Sequence, residues 1–200
     1  MNKKKLLIFC FVLAGLILAW FLFLRLTPEP DPEAVIREFF AAVNTGDAQK
    51  VTELLAPESA QKFRWPANAL GRAIHENLSV QSVENIVRVS ETEFNADVTF
   101  ESLAVRQVMS RAAFIWLLSQ QERTDSPDIT DADADLAEIY NKILLEKPLP
   151  KAAEFRIIRL RYENNSLRIL LDGALESLLD GNLTENLEAI QNLMSGSGAE

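Results

Sequence analysis

The chain has 200 residues, 20 basic and 29 acidic side chains, a formal net charge of −9 at pH 7 and one cysteine, Cys10. Four of the basic residues precede position 26, so the rest of the chain carries 16 basic against 29 acidic residues, a net charge of −13. Such a charge repels phosphate backbones and anionic lipid, which argues against a nucleic-acid partner. The residues after Cys10 include no cysteine, so disulfides and thiol chemistry are excluded in that part of the chain.

A long apolar segment opens the chain. Leu6 to Leu24 spans nineteen residues without a charge or a proline, after three lysines and before Arg25. About twenty residues at roughly 1.5 Å each match a bilayer core about 30 Å thick. The lysines favour a cytoplasmic N-terminus. We therefore predict a cytoplasmic stub and transmembrane anchor at residues 1–26 and a linker at 27–32, with the bulk of the chain extracytoplasmic at the cell membrane.

A cleaved signal peptide is the alternative for this segment. Its apolar region usually spans about 7–15 residues and ends in small side chains. The best small-residue site, Ile17 to Ala19, would leave five large apolar residues, 20–24, at the start of the mature chain. Cys10 lacks the preceding small residue of lipid-attachment sites, and we interpret it as an apolar residue of the span.

Helical spacing dominates the residues that follow the linker. Apolar residues recur at helical spacing from Ile36 to Val43, and the turn-forming sequence at 44–46 ends that helix. Asp47 can cap a second, short helix. A third helical stretch over 58–77 is predicted to break at Trp65-Pro66, because proline cannot continue the hydrogen-bond ladder.

Two pairs of strands are predicted beyond residue 78. The first pair covers 80–89 and 94–101, since apolar and polar residues alternate in the second of these segments. The second pair covers 154–162 and 167–171. Its connection, 163–166, contains two asparagines that tolerate the positive φ of a tight turn. The pattern predicts an antiparallel sheet preceded by helices.

A helical insertion, 104–151, separates the two strand pairs. One helix begins near Ala104 and a second ends at Lys147-Pro148, and their apolar stripes predict a helical hairpin. After a break at Gly181, residues 182–200 are predicted to form an amphipathic helix and a disordered tail.

The run EFFAAVNTGD, within the segment Glu33 to Val51, resembles the opening of nuclear transport factor 2-like domains, and the strand pair at 155–171 looks like their closing hairpin. The resemblance implies one domain over 33–181, with two or three helices wrapped by a bent antiparallel sheet into a cone. Within that superfamily the chain is similar to small bacterial extracytoplasmic proteins, often lipoproteins, of unassigned function. It departs from the pattern in its large insertion and in Leu167, where many relatives have tryptophan.

The predicted fold class is therefore α+β. An N-terminal transmembrane helix precedes N-terminal helices packed on a curved antiparallel sheet, the cone, with an inserted helical hairpin and a C-terminal amphipathic helix. This superfold hosts isomerases, dehydratases, transport factors and secretion-system subunits, so the resemblance transfers no function.

No catalytic residues are predicted. His75, the only histidine, lies in a charged stretch and is expected to be solvated, and Asp97 should point away from the core. An acid–base pair of the ketosteroid-isomerase kind therefore does not emerge. The sequence contains no glycine-rich phosphate loop and no metal-spaced Cys/His set, so no cofactor is expected.

A run of acids between Asp125 and Glu138 superficially imitates a calcium loop. Leu136 stands where the loop needs glycine and Lys142 where it needs a bidentate glutamate, so no metal site is predicted. Acids at a helix start are stabilised by the helix dipole, which explains the run without a ligand.

Two sets of residues are candidates for binding. The first would line a pocket at the mouth of the cone for a small apolar ligand: Trp65, Phe100, Arg156 and Tyr162. The second would contact an envelope protein: Met109, Trp116, Leu187 and Ile190. For both sets the alternative is core packing, and Arg156 would alternatively balance the acidic surface.

The expected function is a membrane-tethered, non-enzymatic extracytoplasmic domain that binds or scaffolds in the cell envelope. One alternative is a subunit of an envelope assembly or secretion complex. The other is a ketosteroid-isomerase-like or dehydratase-like enzyme acting on a small apolar ligand, which requires a deep pocket with an ionisable group of perturbed pKa.

Overall fold

A computed structural model describes residues 31–122 and 132–194, together with Leu13. The chain divides into two units, Met1–Asp31 and Pro32–Glu200, and every helix and strand with defined bounds belongs to the second. Within the described ranges, no helix combines the length and apolar character needed to cross a bilayer. The predicted anchor, Leu6 to Leu24, lies outside the described residues except for Leu13.

Four helices precede the sheet: α1 (Pro32–Thr45), α2 (Ala48–Leu54), α3 (Pro57–Lys62) and α4 (Ala69–Glu76). Asp47 caps α2 as predicted, because its carboxylate accepts a hydrogen bond from the Lys50 backbone N at 3.0 Å. The predicted third helical stretch is two helices, and the break contains Trp65-Pro66. Asn68 starts the second of them by accepting a hydrogen bond from the Gly71 N at 2.7 Å.

Four antiparallel strands form one sheet in the order of the chain: β1 (Ser79–Arg88), β2 (Glu93–Leu103), β3 (Lys151–Glu163) and β4 (Ser166–Ile169). The predicted α+β class with an antiparallel sheet is confirmed. Asn164 and Asn165 have φ values of 50° and 61° in the β3–β4 turn, as predicted. The pairing of β1 with β2 shifts register between Glu84 and Val87, around Asn85 with φ 46°, and such a bulge bends the edge strand.

One face of the sheet packs against the N-terminal helices. Alternate residues of β2, from Ala96 to Phe100, are buried on this face, together with Ile158 and Leu160 of β3. The ring of Phe40 in α1 meets the ring of Phe100 edge-on at 4.6 Å between centroids. Contacts of this kind hold α1 against the sheet. The alternation of apolar and polar residues in β2 therefore determines which face of the sheet the helices cover.

The insertion contains α5 (Val105–Glu122) and α6 (Ala132–Leu145), which pack against each other and against α4. Together with Leu103 and Leu149 they form a second apolar cluster around Val108 and Ile143. Residues 123–131, between the two helices, lie outside the described part of the chain.

Two helices follow the sheet, α7 (Gly173–Leu179) and α8 (Leu183–Met194). The Asp172 carboxylate caps α7 by accepting a hydrogen bond from the Leu175 N at 3.0 Å. Gly181 adopts a φ of 66° between the two helices. The Arg106 Nε of α5 donates to the Asn186 Oδ1 at 3.2 Å and so joins α8 to the insertion.

Candidate functional site

The predicted pocket residues lie in different parts of the fold. Phe100 is fully buried in the main core, and Tyr162 packs half-buried against the same core. Trp65 lies between α3 and α4, with its ring 5.5 Å from the ring of His75. Phe100 therefore fills the space between helices and sheet, because aromatic side chains on the covered face of a strand pack on the opposing helix.

Arg156 shares a strand face with Tyr162, as predicted, and belongs to a polar network. Its Nη2 lies 2.9 Å from the Glu154 Oε2 and 2.9 Å from the Asn182 Oδ1. The Ser102 Oγ donates to the other Glu154 oxygen at 2.8 Å. The guanidinium thus joins β3 to the segment between α7 and α8, and its hydrogen bonds are made within the chain.

The predicted partner-binding residues are also divided. Met109 is buried in the second apolar cluster, and Trp116 is half-buried on α5. The Trp116 Nε1 is shielded from solvent without a hydrogen-bond acceptor among the described residues. Leu187 is exposed on α8, and the side chain of Ile190 lies outside the described part of the chain.

Large apolar side chains stand on the sheet face opposite the helices. Phe155 and Ile157 of β3 are 54% and 48% exposed, and Val87 of β1 is exposed as well. Phe155 pairs with Thr99 and Ile157 with Asp97 on the neighbouring strand. We call Phe155, Ile157 and Val87 the outer patch. Sequence reasoning missed it, although the alternation that buries Ile158 and Leu160 leaves Phe155 and Ile157 on the other face.

Charged side chains border the outer patch along β3. The Arg161 Nη1 lies 2.6 Å from a Glu58 oxygen and its Nη2 lies 3.3 Å from Glu93, which also meets Arg159 at 3.6 Å. The hydrogen bond to Glu58 raises the pKa of Arg161. The pKa of the Glu58 carboxyl is lowered mainly by a hydrogen bond from its own backbone N–H, and the hydrogen bond from Arg161 lowers it further. Polar side chains of β2, Asp97 and Thr99 among them, lie between Val87 and the apolar pair Phe155 and Ile157. Apolar side chains bordered by polar and charged ones are the usual anatomy of a protein interface.

A separate cleft of about 240 Å³ lies where α1 ends beside α4 and the Trp65-Pro66 break. We call it the His75 cleft, and its lining residues are Val43, Asn44, Thr45, Gly46, Trp65, Pro66, Arg72, His75 and Glu76. The prediction that His75 is solvated is wrong, because this side chain is only 5% exposed. Helical spacing carried a signal for its burial, since His75 lies one turn after Gly71 and next to Ile74 on the buried side of α4.

Two aromatic rings and a backbone carbonyl surround His75. The Phe63 ring is stacked on it at 6.4 Å, and the Trp65 ring meets it edge-on at 5.5 Å. Burial lowers the pKa of His75, while a hydrogen bond to the Leu179 carbonyl and the charge of Asp180 oppose that shift. The Nδ1 atom is shielded from solvent and has no hydrogen-bond partner among the described residues.

This burial predicts a pH-dependent stability. The unfolded chain binds a proton at the ordinary histidine pKa of about 6.5, whereas the folded ring resists protonation. The contribution of His75 is therefore complete above pH of about 6.5 and is lost as the pH falls through the lower pKa of the folded state. We expect urea midpoints measured at pH 7.5 and 5.5 to differ more for the wild type than for His75→Gln.

The comparison between the two proteins isolates His75 from the other charges around it. Asp180, Arg72 and Glu76 are present in both proteins, and Gln is a polar side chain that does not titrate in this pH range. An equal pH effect on both urea midpoints would contradict the assignment of the titration to His75.

Residues 31–122 and 132–194 contain no group of three histidine, cysteine or carboxylate side chains positioned to hold a metal ion. Of the acidic run, Asp125, Asp128 and Asp131 lie outside the described residues, as do the side chains of Asp133 and Asp135. Glu138 forms an i,i+4 ion pair with Lys142 at 2.8 Å.

Family models, curated proteins and solved structures were compared with this chain, and none of them matches it.

Proposed function

We propose that this chain is a membrane-tethered, extracytoplasmic binding or scaffolding domain of the cell envelope that is not an enzyme and that docks a partner protein on its outer patch. The exposure of Phe155 and Ile157 on the sheet face opposite the helices carries this proposal. The apolar run from Leu6 to Leu24 supports a single span with a cytoplasmic N-terminus. The helices on one face of a bulged sheet are compatible with a nuclear transport factor 2-like cone.

The outer patch favours a protein over a small ligand. Phe155 and Ile157 are adjacent large apolar side chains on one face of β3, and covering such side chains recovers roughly 25 cal/mol per Å². A small ligand needs a concave site that surrounds it, whereas a sheet face presents a broad surface to another protein. The rim charges, Arg159 and Glu93 among them, can fix the orientation of a partner.

The charge of the domain also argues against docking on lipid. Residues beyond the predicted anchor carry a net charge of −13, and anionic headgroups repel such a body. The main core supports the non-enzymatic proposal, because Phe39, Phe40 and Phe100 fill the space between α1 and the sheet where a catalytic cavity of the superfamily would need room.

Site-specific photocrosslinking in intact cells tests the proposal. A photoreactive amino acid at position 155 or 157 is expected to give one discrete protein adduct, because both positions would lie inside the interface. The same amino acid at Leu145, which is 80% exposed at the end of α6, is the matched control and should give at least ten-fold less of that adduct. Adducts of equal yield at all three positions, or at none, would contradict partner docking on the outer patch.

Two further measurements separate docking from folding and topology. Ile157→Lys should abolish the adduct formed from position 155, while Leu145→Lys should leave it unchanged, and circular dichroism should be the same for both variants. Protease added to spheroplasts should digest the domain. Survival of the domain until the cells are lysed would place it in the cytoplasm and exclude the envelope role.

A further inference from the structure

We propose that a cleft between α3 and α7 binds a small zwitterion with an apolar side chain, of the size of an amino acid or a dipeptide. The cleft has a volume of about 260 Å³, and we call it the α3–α7 cleft. Its lining residues are Lys62, Phe63, Arg64, Leu171, Glu176, Leu179 and Asp180. None of them belongs to the outer patch, so ligand binding here and partner docking there can be tested separately.

Side chains of opposite charge line the cleft from different elements. Lys62 ends α3 and Arg64 follows two residues later, whereas Glu176 and Asp180 come from α7 and its C-cap. All four residues are exposed and therefore accessible to a ligand. None of the four forms an ion pair within the described part of the chain. A molecule with one carboxylate and one ammonium can pair with both kinds of charge, whereas a simple anion or cation can pair with only one.

The cationic wall is arranged to receive a carboxylate. The Arg64 Nη1 donates to the carbonyls of Gln61 at 2.6 Å and Phe63 at 2.8 Å, which holds the guanidinium near the end of α3. Its Nε and Nη2 donors have no acceptor among the residues the structure describes, so they remain for a ligand. Because a guanidinium matches the planar geometry of a carboxylate, Arg64 is the principal anion-binding group and Lys62 adds a second positive charge.

The acidic wall favours an ammonium group. Glu176 and Asp180 are four residues apart, and the Asp180 N donates to the Glu176 carbonyl at 2.9 Å, so their side chains are neighbours. Like charges at this spacing repel each other. Neither carboxylate accepts a hydrogen bond from a described side chain or backbone group. A bound ammonium relieves the repulsion and supplies the missing donors.

The floor of the cleft is apolar and fixed in position. Leu171 and Leu179 are buried and Phe63 is half-buried. The Leu171 N donates to the buried Ser59 Oγ of α3 at 2.9 Å, which joins α3 to the segment before α7. A volume of about 260 Å³ is just below the range of about 300–1,000 Å³ for drug-sized ligands. The floor therefore suits one aliphatic or aromatic side chain.

Nuclear magnetic resonance of backbone amides provides a direct test. The full chain, labelled with ²H and ¹⁵N, is purified in a nonionic detergent, because a zwitterionic detergent would compete for the cleft. L-Leucine and leucyl-leucine are expected to shift the amide signals of Phe63 and Arg64 saturably, and the tighter of the two gives the size of the ligand. Glycine keeps both charges without a side chain and should bind at least about five-fold more weakly than leucine. Leucinamide lacks the carboxylate and N-acetylleucine lacks the ammonium, so each should be weaker than leucine by a similar factor.

Matched variants assign each charge of the ligand to its wall. Arg64→Gln should weaken leucine binding by at least about five-fold and leave leucinamide binding unchanged, because leucinamide has no carboxylate. Glu176→Gln should weaken leucine binding and leave N-acetylleucine binding unchanged. Arg111→Gln, on α5, is the control and should alter neither, and circular dichroism should be the same for all three variants. Equal affinity for leucine, leucinamide and N-acetylleucine, or no saturable shift with any probe, would overturn the site.

The pattern across probes separates recognition from unfolding. A variant that unfolds the cleft weakens all probes alike, whereas loss of one charge contact weakens only the probes that carry the matching charge. Equal weakening of leucine and leucinamide by Arg64→Gln would therefore overturn the role of Arg64 as the carboxylate-binding group.

Discussion

Replacing Phe40 by alanine is expected to lower the free energy of unfolding by about 3–5 kcal/mol, the usual cost of deleting a buried aromatic ring. Phe40 is almost fully buried, and its ring meets those of Phe39 at 5.0 Å and Phe100 at 4.6 Å. The substitution leaves a cavity between α1 and the sheet, and the rigid strand behind Phe100 limits how far the core can collapse. Urea unfolding of the full chain in detergent, followed by circular dichroism, measures the change.

Phe114→Ala is the matched control for this substitution. Phe114 lies on α5 with 61% of its surface exposed, so the same chemical change should alter the free energy of unfolding by less than about 0.5 kcal/mol. Similar losses for the two variants would mean that Phe40 does not occupy the core between α1 and the sheet.

Local signals were sufficient to predict most of the elements. The capping carboxylate of Asp47, the break at Trp65-Pro66 and the paired asparagines at 164–165 are short-range features that act within a few residues. The alternation in β2 likewise predicted correctly that Asp97 points away from the core. On the outer face its carboxylate accepts a hydrogen bond from the Asn85 Nδ2 at 3.0 Å. Such features need no knowledge of the rest of the chain.

Candidate site residues were harder to assign because their roles depend on distant segments. Periodicity places Phe100 and Met109 on an apolar face, but it does not say whether another element covers that face. α1 covers the first and α6 contributes to the cluster around the second. The burial of His75 depends on Phe63 and Trp65, which the break before α4 brings back against it. The charged residues next to His75 in the sequence do not indicate that Phe63 and Trp65 pack against it.

The outer patch illustrates a different difficulty. β3 is apolar at both 157 and 158, so its sequence is compatible with either face as the core face. The register with β2 resolves the ambiguity, because Ile158 pairs with the buried Ala96 and Ile157 with the partly exposed Asp97. A one-residue slip would exchange the two faces. The patch can therefore be recognised only once strand pairing is known.

Gly181→Ala is expected to lower the free energy of unfolding by about 2–5 kcal/mol. Gly181 has a φ of 66°, a conformation that costs a residue with a Cβ roughly 1–2 kcal/mol. An added Cβ would also lie 2.6 Å from the Ile74 Cδ1 and 2.8 Å from the Val105 Cγ2, and overpacking of this kind typically costs about 1–3 kcal/mol. Urea unfolding of the full chain in detergent measures the sum of both effects.

Two other glycines separate the backbone cost from the steric cost. Gly46 has a φ of 74° with open space around its Cβ position, so Gly46→Ala should cost only the backbone term of about 1–2 kcal/mol. Gly173, which opens α7 without positive φ or neighbouring atoms, should tolerate alanine with no loss or a gain of about 0.4–1 kcal/mol. Equal losses at 46 and 181 would mean that the link between α7 and α8 moves away from Ile74.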